Sequence, residues 1–194
     1  LNGIIVALCS VGILNAHAEN VAIAKSSLVG DGIVEFVPQG FDQTKTPSLI
    51  LKEEPTAKGS VPSDWELYPQ FTVVDGKANA SLSLTGEISL YGGGEVTGPL
   101  LRNGQYIKLW NTDTGAYGVD GGKRLYQSHP WVLGVRRDGS AFGILFDSSW
   151  KSELHTNSDK IEFNTEGALF RIYIIDRELS LIHISEPTRR VVIS

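Results

Sequence analysis

From about Val21 onward, apolar and polar residues alternate with a period of two, and turn-forming residues break the alternation at short intervals. The pattern is cleanest from Ala78 to Leu84, where Ala78, Ala80, Leu82 and Leu84 fall on one side and polar residues on the other. Successive side chains of a strand point to opposite faces, so this segment reads as a strand with one face on a core and one in water. Further strands are predicted at 32–37, 48–52, 65–74, 131–136, 141–146, 150–155, 160–163 and 169–175. In the last of these, Arg171, Tyr173 and Ile175 would share one face, and Ile172 and Ile174 the other. Asp75-Gly76 and Asp138-Gly139 predict two-residue hairpin turns. No stretch of a dozen residues carries a helical period. Glycine and proline punctuate the chain and do not collect into a linker. About ten to twelve short strands at this spacing predict an all-β protein, an antiparallel β-sandwich.

The 194 residues suffice for one domain with a real core. A hydrophobic content of 41% excludes a disordered chain, and a net charge of −5 without a basic stripe argues against nucleic acid as partner. Glu53-Glu54 is the longest acidic run and reads as a solvated turn. The two ends have a different character. Ile4 to Leu14 is an apolar run followed by Ala16-His17-Ala18, a small-residue cleavage pattern, and then by polar Glu19-Asn20. Residues 1–18 therefore read as a secretory signal peptide with a truncated start, since the chain holds no methionine and no charged leader. A bilayer span needs roughly 20 apolar residues, so no membrane span is expected after cleavage. The alternative is a buried strand or helix. Cleavage would remove Cys9, the one cysteine, and leave a disulfide-free domain that is secreted or periplasmic. At the other end, Leu179 to Arg190 resembles translated sequencing adapter, which marks 178–194 as a non-native tail. A genuine C-terminal strand with a basic end is the alternative. The sandwich domain is thus expected at 19–177.

Candidate chemistry is sparse. Gly92, Gly93 and Gly94 permit positive φ and close approach to another chain. They do not form a phosphate cradle, because neither the dinucleotide nor the P-loop spacing is present and no helix follows. Glu95, next in sequence, reads first as a buried carboxylate satisfied by backbone N–H groups and second as a substrate contact. Pro99 stiffens the exit. Two long inter-strand stretches, 44–64 and 111–127, are of the length usually reserved for function. Trp65, Trp110, Trp131 and Trp150 lie in or beside strands, where core or interdomain packing competes with sugar stacking. His129 and His155, with Glu153 nearby, lack a third histidine within 19–177, since His17 falls in the leader and His183 in the tail, so no metal is predicted. Asn79-Ala80-Ser81 is a glycosylation sequon.

Four motifs occur in order: Tyr91-Gly92-Gly93-Gly94-Glu95-Val96-Thr97-Gly98-Pro99, Trp110-Asn111-Thr112-Asp113, Tyr126-Gln127-Ser128-His129-Pro130-Trp131, and Gly143 to Trp150 with Asp147 inside it. Together they resemble the N-terminal domain of glycoside hydrolase family 31, which includes α-glucosidases and α-xylosidases. The resemblance implies a galactose-mutarotase-like supersandwich that precedes a (β/α)8 barrel. It implies that the barrel supplies both catalytic aspartates of a retaining mechanism, so no residue here is assigned as catalytic and the chain alone is expected to be inactive. It also implies that Asp113 contacts sugar hydroxyls on the leaving-group side of an α-linked oligosaccharide or glycoside; the alternative for Asn111-Thr112-Asp113 is an Asx-turn. The implied intramolecular partner is the barrel, and no cofactor is implied. Two other function classes stay open. One is a stand-alone carbohydrate-binding module. The other is an aldose epimerase, for which His129, His155 and Glu153 would have to converge on one sugar.

Overall fold

The computed structural model describes residues 18–49, 55–117 and 121–177. In chain order the strands are β1 (Ala18–Val21), β2 (Ile23–Gly30), β3 (Ile33–Pro38), β4 (Pro69–Val74), β5 (Lys77–Ser83) and β6 (Ile88–Gly94). They continue with β7 (Gln105–Leu109), β8 (Ser128–Arg136), β9 (Ala141–Asp147), β10 (Ser152–Thr156), β11 (Lys160–Thr165) and β12 (Arg171–Arg177). A single 3-10 turn, Gly115–Tyr117, is the only helical element among the described residues. Two six-stranded antiparallel sheets result, ordered β1-β4-β5-β11-β10-β7 and β2-β3-β12-β9-β8-β6. They form the predicted all-β sandwich. The proposed signal peptide, except Ala18 at the start of β1, and the proposed tail lie outside the described residues.

Alternation builds the core. Ala78, Ala80 and Leu82 of β5 are buried, as are Leu154 of β10, Ile161 and Phe163 of β11, and Ile172 and Ile174 of β12. The inner faces meet through aromatic rings: Phe146 of β9 stacks on Phe163 of β11 at 4.5 Å, and Phe170 meets Phe163 edge-on at 5.1 Å. Such pairs add stability beyond the area they bury.

The outer face of the second sheet is also covered. Arg171 and Tyr173 lie opposite Ile172 and Ile174, as the period predicts, yet are only 1% and 5% exposed. The 39–49 segment lies over them, with the Phe41 ring 5.1 Å from the Arg171 guanidinium. Beneath it, the fully buried Glu35 accepts hydrogen bonds from Arg171 Nη1 (3.3 Å), the Tyr173 hydroxyl (3.0 Å) and Lys25 Nζ (3.3 Å). Burial, then the charge of Glu35, pushes the Tyr173 phenol above its ordinary range.

Asp75-Gly76 forms the predicted hairpin, with both residues at positive φ (50° and 76°). Asp138-Gly139 does not. Only Gly139 is left-handed, its N–H donates to the Arg136 carbonyl, and Arg136 N–H donates to Ser140 O, so the loop is one residue longer. Asp138 Oδ1 accepts from Ser140 N–H and Oγ–H, which holds Asp138 at ordinary φ. Two other expectations need correction. Residues 48 and 49 are irregular, because the Leu49 N–H donates to Asp147 Oδ1 at 2.7 Å where a strand partner would be; residues 50–52 lie outside the described part. Trp65 to Tyr68 precede β4 without joining it. Trp110 lies just past β7, whose last residue is Leu109.

Candidate functional site

The glycine run sits at the end of β6, where pairing with β8 slips by a bulge between Gly92 and Gly94. All three glycines have positive φ (122°, 81° and 87°). A Cβ on Gly94 would stand 2.5 Å from the Gln127 carbonyl oxygen and 2.7 Å from the His129 nitrogen; one on Gly93 would stand 2.6 Å from Ile107 Cδ1. The run therefore lets the backbone turn sharply against its neighbours and sends residues 95–99 toward the long loop between β7 and β8.

The two segments are laced together. Glu95 N–H donates to Gln127 O (2.8 Å), Thr97 N–H to Gly122 O (3.0 Å) and Thr97 Oγ1 to Gly121 O (2.5 Å). Thr97 fills the space a side chain on Gly122 would need. Arg102, which no sequence motif singles out, is 8% exposed and donates to Pro99 O (2.7 Å) and Gly92 O (3.3 Å), closing the turn from behind. Its signal in the sequence is only an arginine beside turn residues, which is common on any surface.

The same lacing positions Asp113. Asn111 Oδ1 accepts Ser128 N–H at 2.8 Å, so it bridges the two ends of the long loop and does not form a local Asx-turn. Thr112 N–H donates to Leu125 O at 2.8 Å. Asp113 then emerges exposed, beside Tyr126. The charge of Asp113, its hydrogen bond to the phenol and the more distant charge of Glu95 push the Tyr126 hydroxyl above its ordinary range. That hydroxyl lies 3.3 Å from the Thr114 carbonyl. Glu95 is exposed, which corrects the expectation of a buried carboxylate held by backbone amides. Asp113 and Tyr126 thus stand on the loop that Glu95 and Thr97 are hydrogen-bonded to through their backbone amides.

A groove of about 370 Å³ opens beside them, lined by Trp110, Trp150, Leu49, Asn111 and Pro130. Trp110 is 49% and Trp150 44% exposed. Trp150 is anchored by its Nε1–H to Lys45 O (3.2 Å) and packs on Gly167, where a Cβ would clash. Of the other two tryptophans, Trp65 packs against the core, with Nε1–H on Leu67 O (2.8 Å), and Trp131 lies half-buried across Gly143 on the outer face of the second sheet. The four divide evenly between packing and exposure.

The structure does not bring the histidines together. His129 is on β8 and His155 on β10, in opposite sheets. Glu153 and His155 share the outer face of β10, but Glu153 is engaged by the Tyr106 hydroxyl, and Tyr106 tilts against the His155 ring at 4.7 Å. Among the described residues no group of three or more His, Cys, Asp or Glu is placed to hold a metal ion, and no helix is long and apolar enough to cross a membrane.

An exposed carboxylate beside half-exposed indoles suits hydroxyl-rich ligands: carboxylates accept charge-assisted bonds and indole faces pack on sugar C–H. The α-glucosidase 2 of Bacillus thermoamyloliquefaciens is 33% identical over 167 residues, covering 80% of this chain and 21% of that protein. The chain therefore spans about a fifth of that relative's length. A family 31 α-glucosidase from Bacteroides thetaiotaomicron is 69% identical over 54% of this chain and 18% of its own, with a TM-score of 0.49. A dextranase of Flavobacterium johnsoniae superposes over 84% of this chain and 26% of its own with a TM-score of 0.59 at 19% identity, which shows the same sandwich fold. Residues 27–154 match the family model of the glycosyl hydrolase 31 N-terminal galactose mutarotase-like domain, and the chain belongs to that family.

Proposed function

We propose that this chain is the N-terminal sandwich of a longer, exported, retaining α-glycosidase, packed against a catalytic barrel and lending its 111–127 loop to the substrate site. The observation that carries the reading is the lacing of the 111–127 loop by the Asn111–Ser128 and Thr112–Leu125 hydrogen bonds, which leaves Asp113 exposed next to the groove lined by Asn111, Trp110 and Trp150. In this reading Asp113 accepts hydroxyl hydrogen bonds from an α-linked sugar, Tyr126 orients the carboxylate, and the indoles face the barrel. The glycine bulge and Arg102 keep the loop from relaxing away, so ordering it costs little when substrate arrives. Chemistry belongs to the barrel, and specificity for the leaving group is shared with this loop.

The test is Asp113→Ala in the full-length enzyme. A hydrogen bond to a charged group is worth about 1.5–3 kcal/mol, so kcat/KM for an α-linked disaccharide should fall about 10- to 100-fold. Hydrolysis of an aryl glycoside that leaves the outer subsite empty should change little. Equal kinetics of variant and parent on the disaccharide would refute the assignment.

A further inference from the structure

The outer face of the first sheet carries a second arrangement, separate from the loop end. Strand register places Lys108 beside Glu153, Glu153 beside Asn164, Asn164 beside Asn79, and Asn79 beside Thr72. These five side chains form one row across β7, β10, β11, β5 and β4, and each is half-buried. With strands about 4.8 Å apart, the row runs about 19 Å. The same residues line an open groove of about 610 Å³, with Trp110 and Arg124 at one end and the Lys151–Glu166 ion pair (2.7 Å) along its rim.

The row has a definite chemistry. Two carboxamides and a hydroxyl each offer both a donor and an acceptor, and at one end follow a carboxylate, one oxygen of which takes the Tyr106 hydroxyl, and an ammonium donor. Charges on the rim are matched within the face: Lys151 binds Glu166 and holds its carboxyl below the ordinary range, and Lys77 adds to the effect. A strongly anionic or cationic ligand finds no net complement there, and a protein surface finds no apolar centre. A neutral chain of hydroxyls matches alternating donors and acceptors along its length. Hydrogen bonds to the Tyr106 hydroxyl and the Lys77 carbonyl already fix Glu153 and Asn79, so less conformational entropy remains to be lost there.

We propose that this face is a binding site for a neutral oligosaccharide, running across the strands along Lys108, Glu153, Asn164, Asn79 and Thr72. The site is remote from the Asp113 loop in its diagnostic residues and does not depend on that loop's role. Because Trp110 borders both grooves, Asn79 and Asn164 are the residues that distinguish them.

The experiment is an NMR titration of the 194-residue chain with maltotetraose and, separately, isomaltotetraose. Saturable shifts in backbone amides of β5 and β11 are expected with one of the two, at a Kd of about 1 mM or tighter. Asn164→Ala and Asn79→Ala, each checked for an unchanged amide fingerprint without ligand, should weaken binding about tenfold, the worth of one lost hydrogen bond. Asp113→Ala should leave it unchanged. The proposal is overturned by absence of saturable binding to both sugars. It is equally overturned by binding that Asp113→Ala removes and a folded Asn164→Ala does not.

Discussion

At the residue scale, the glycines of this chain divide into two physical kinds. Gly76 and Gly139 are left-handed in turns, and a methyl group added to either would meet nothing within 4 Å, so their requirement is conformational alone. Gly94 is left-handed and also walled in by backbone atoms of Gln127 and His129, which cannot swing aside as a side chain would. Gly94→Ala should therefore cost about 2–4 kcal/mol, against about 1 kcal/mol for Gly76→Ala. Urea unfolding of the two variants beside the parent checks the difference; equal midpoints would show that the β6 bulge accommodates a methyl group. That three glycines mark a close approach was legible in the sequence, because no other residue supplies that freedom. That Glu95 would be exposed was not, since the direction a side chain takes after three left-handed residues depends on the partner strand. The placing of Asp113 near Tyr126 was equally hidden: they lie at opposite ends of a long loop, which the Asn111–Ser128 and Thr112–Leu125 hydrogen bonds close.

At the scale of elements, clean alternation made β5 readable, turn signals bounded β9 despite its continuous apolar run, and β2 and β6 were missed. In β5, Ala78, Ala80 and Leu82 face the core in the expected order. By contrast, β2 carries an exposed lysine and serine in its first half, and β6 ends in glycine, so neither shows the period. The 48–52 run was apolar enough for a strand, but the Asp147 carboxylate takes the Leu49 N–H that a ladder would need. A larger surprise is that the outer face of β12 is charged and buried at once. Glu35 links β3 to β2 through Lys25 and to β12 through Arg171 and Tyr173. Removing one partner of a buried ion pair strands the other charge, at about 3–5 kcal/mol. Glu35→Ala should lower stability by that amount, whereas Lys151→Ala, which breaks a half-exposed pair with Glu166, should cost under about 1 kcal/mol. Denaturant unfolding of both variants tests the contrast, and a mild effect at Glu35 would mean that Asp147, 3.9 Å from Arg171, suffices as counter-charge.

At the scale of the whole molecule, exposed apolar side chains are not spread evenly. Trp110, Trp150 and Leu49 line one groove at the loop end, and Tyr126 with Tyr117 stand on the loop beside it. Two different demands meet at that end: apolar surface that water does not favour, and carboxylates that need water or a polar ligand. A docked barrel would satisfy the first by covering the indoles and the second by presenting sugar to Asp113. The tryptophans report on this directly, because the other two, Trp65 against the core and Trp131 over Gly143, are already half-buried. Acrylamide should quench the fluorescence of the 194-residue chain strongly, and Trp110→Phe with Trp150→Phe should remove most of the accessible fraction. In a longer protein that includes the barrel, the same two indoles should become shielded while Trp65 and Trp131 change little. Quenching that stays equal between the short and the long protein would place the docking surface on another face and leave the Trp110–Trp150 groove open to solvent.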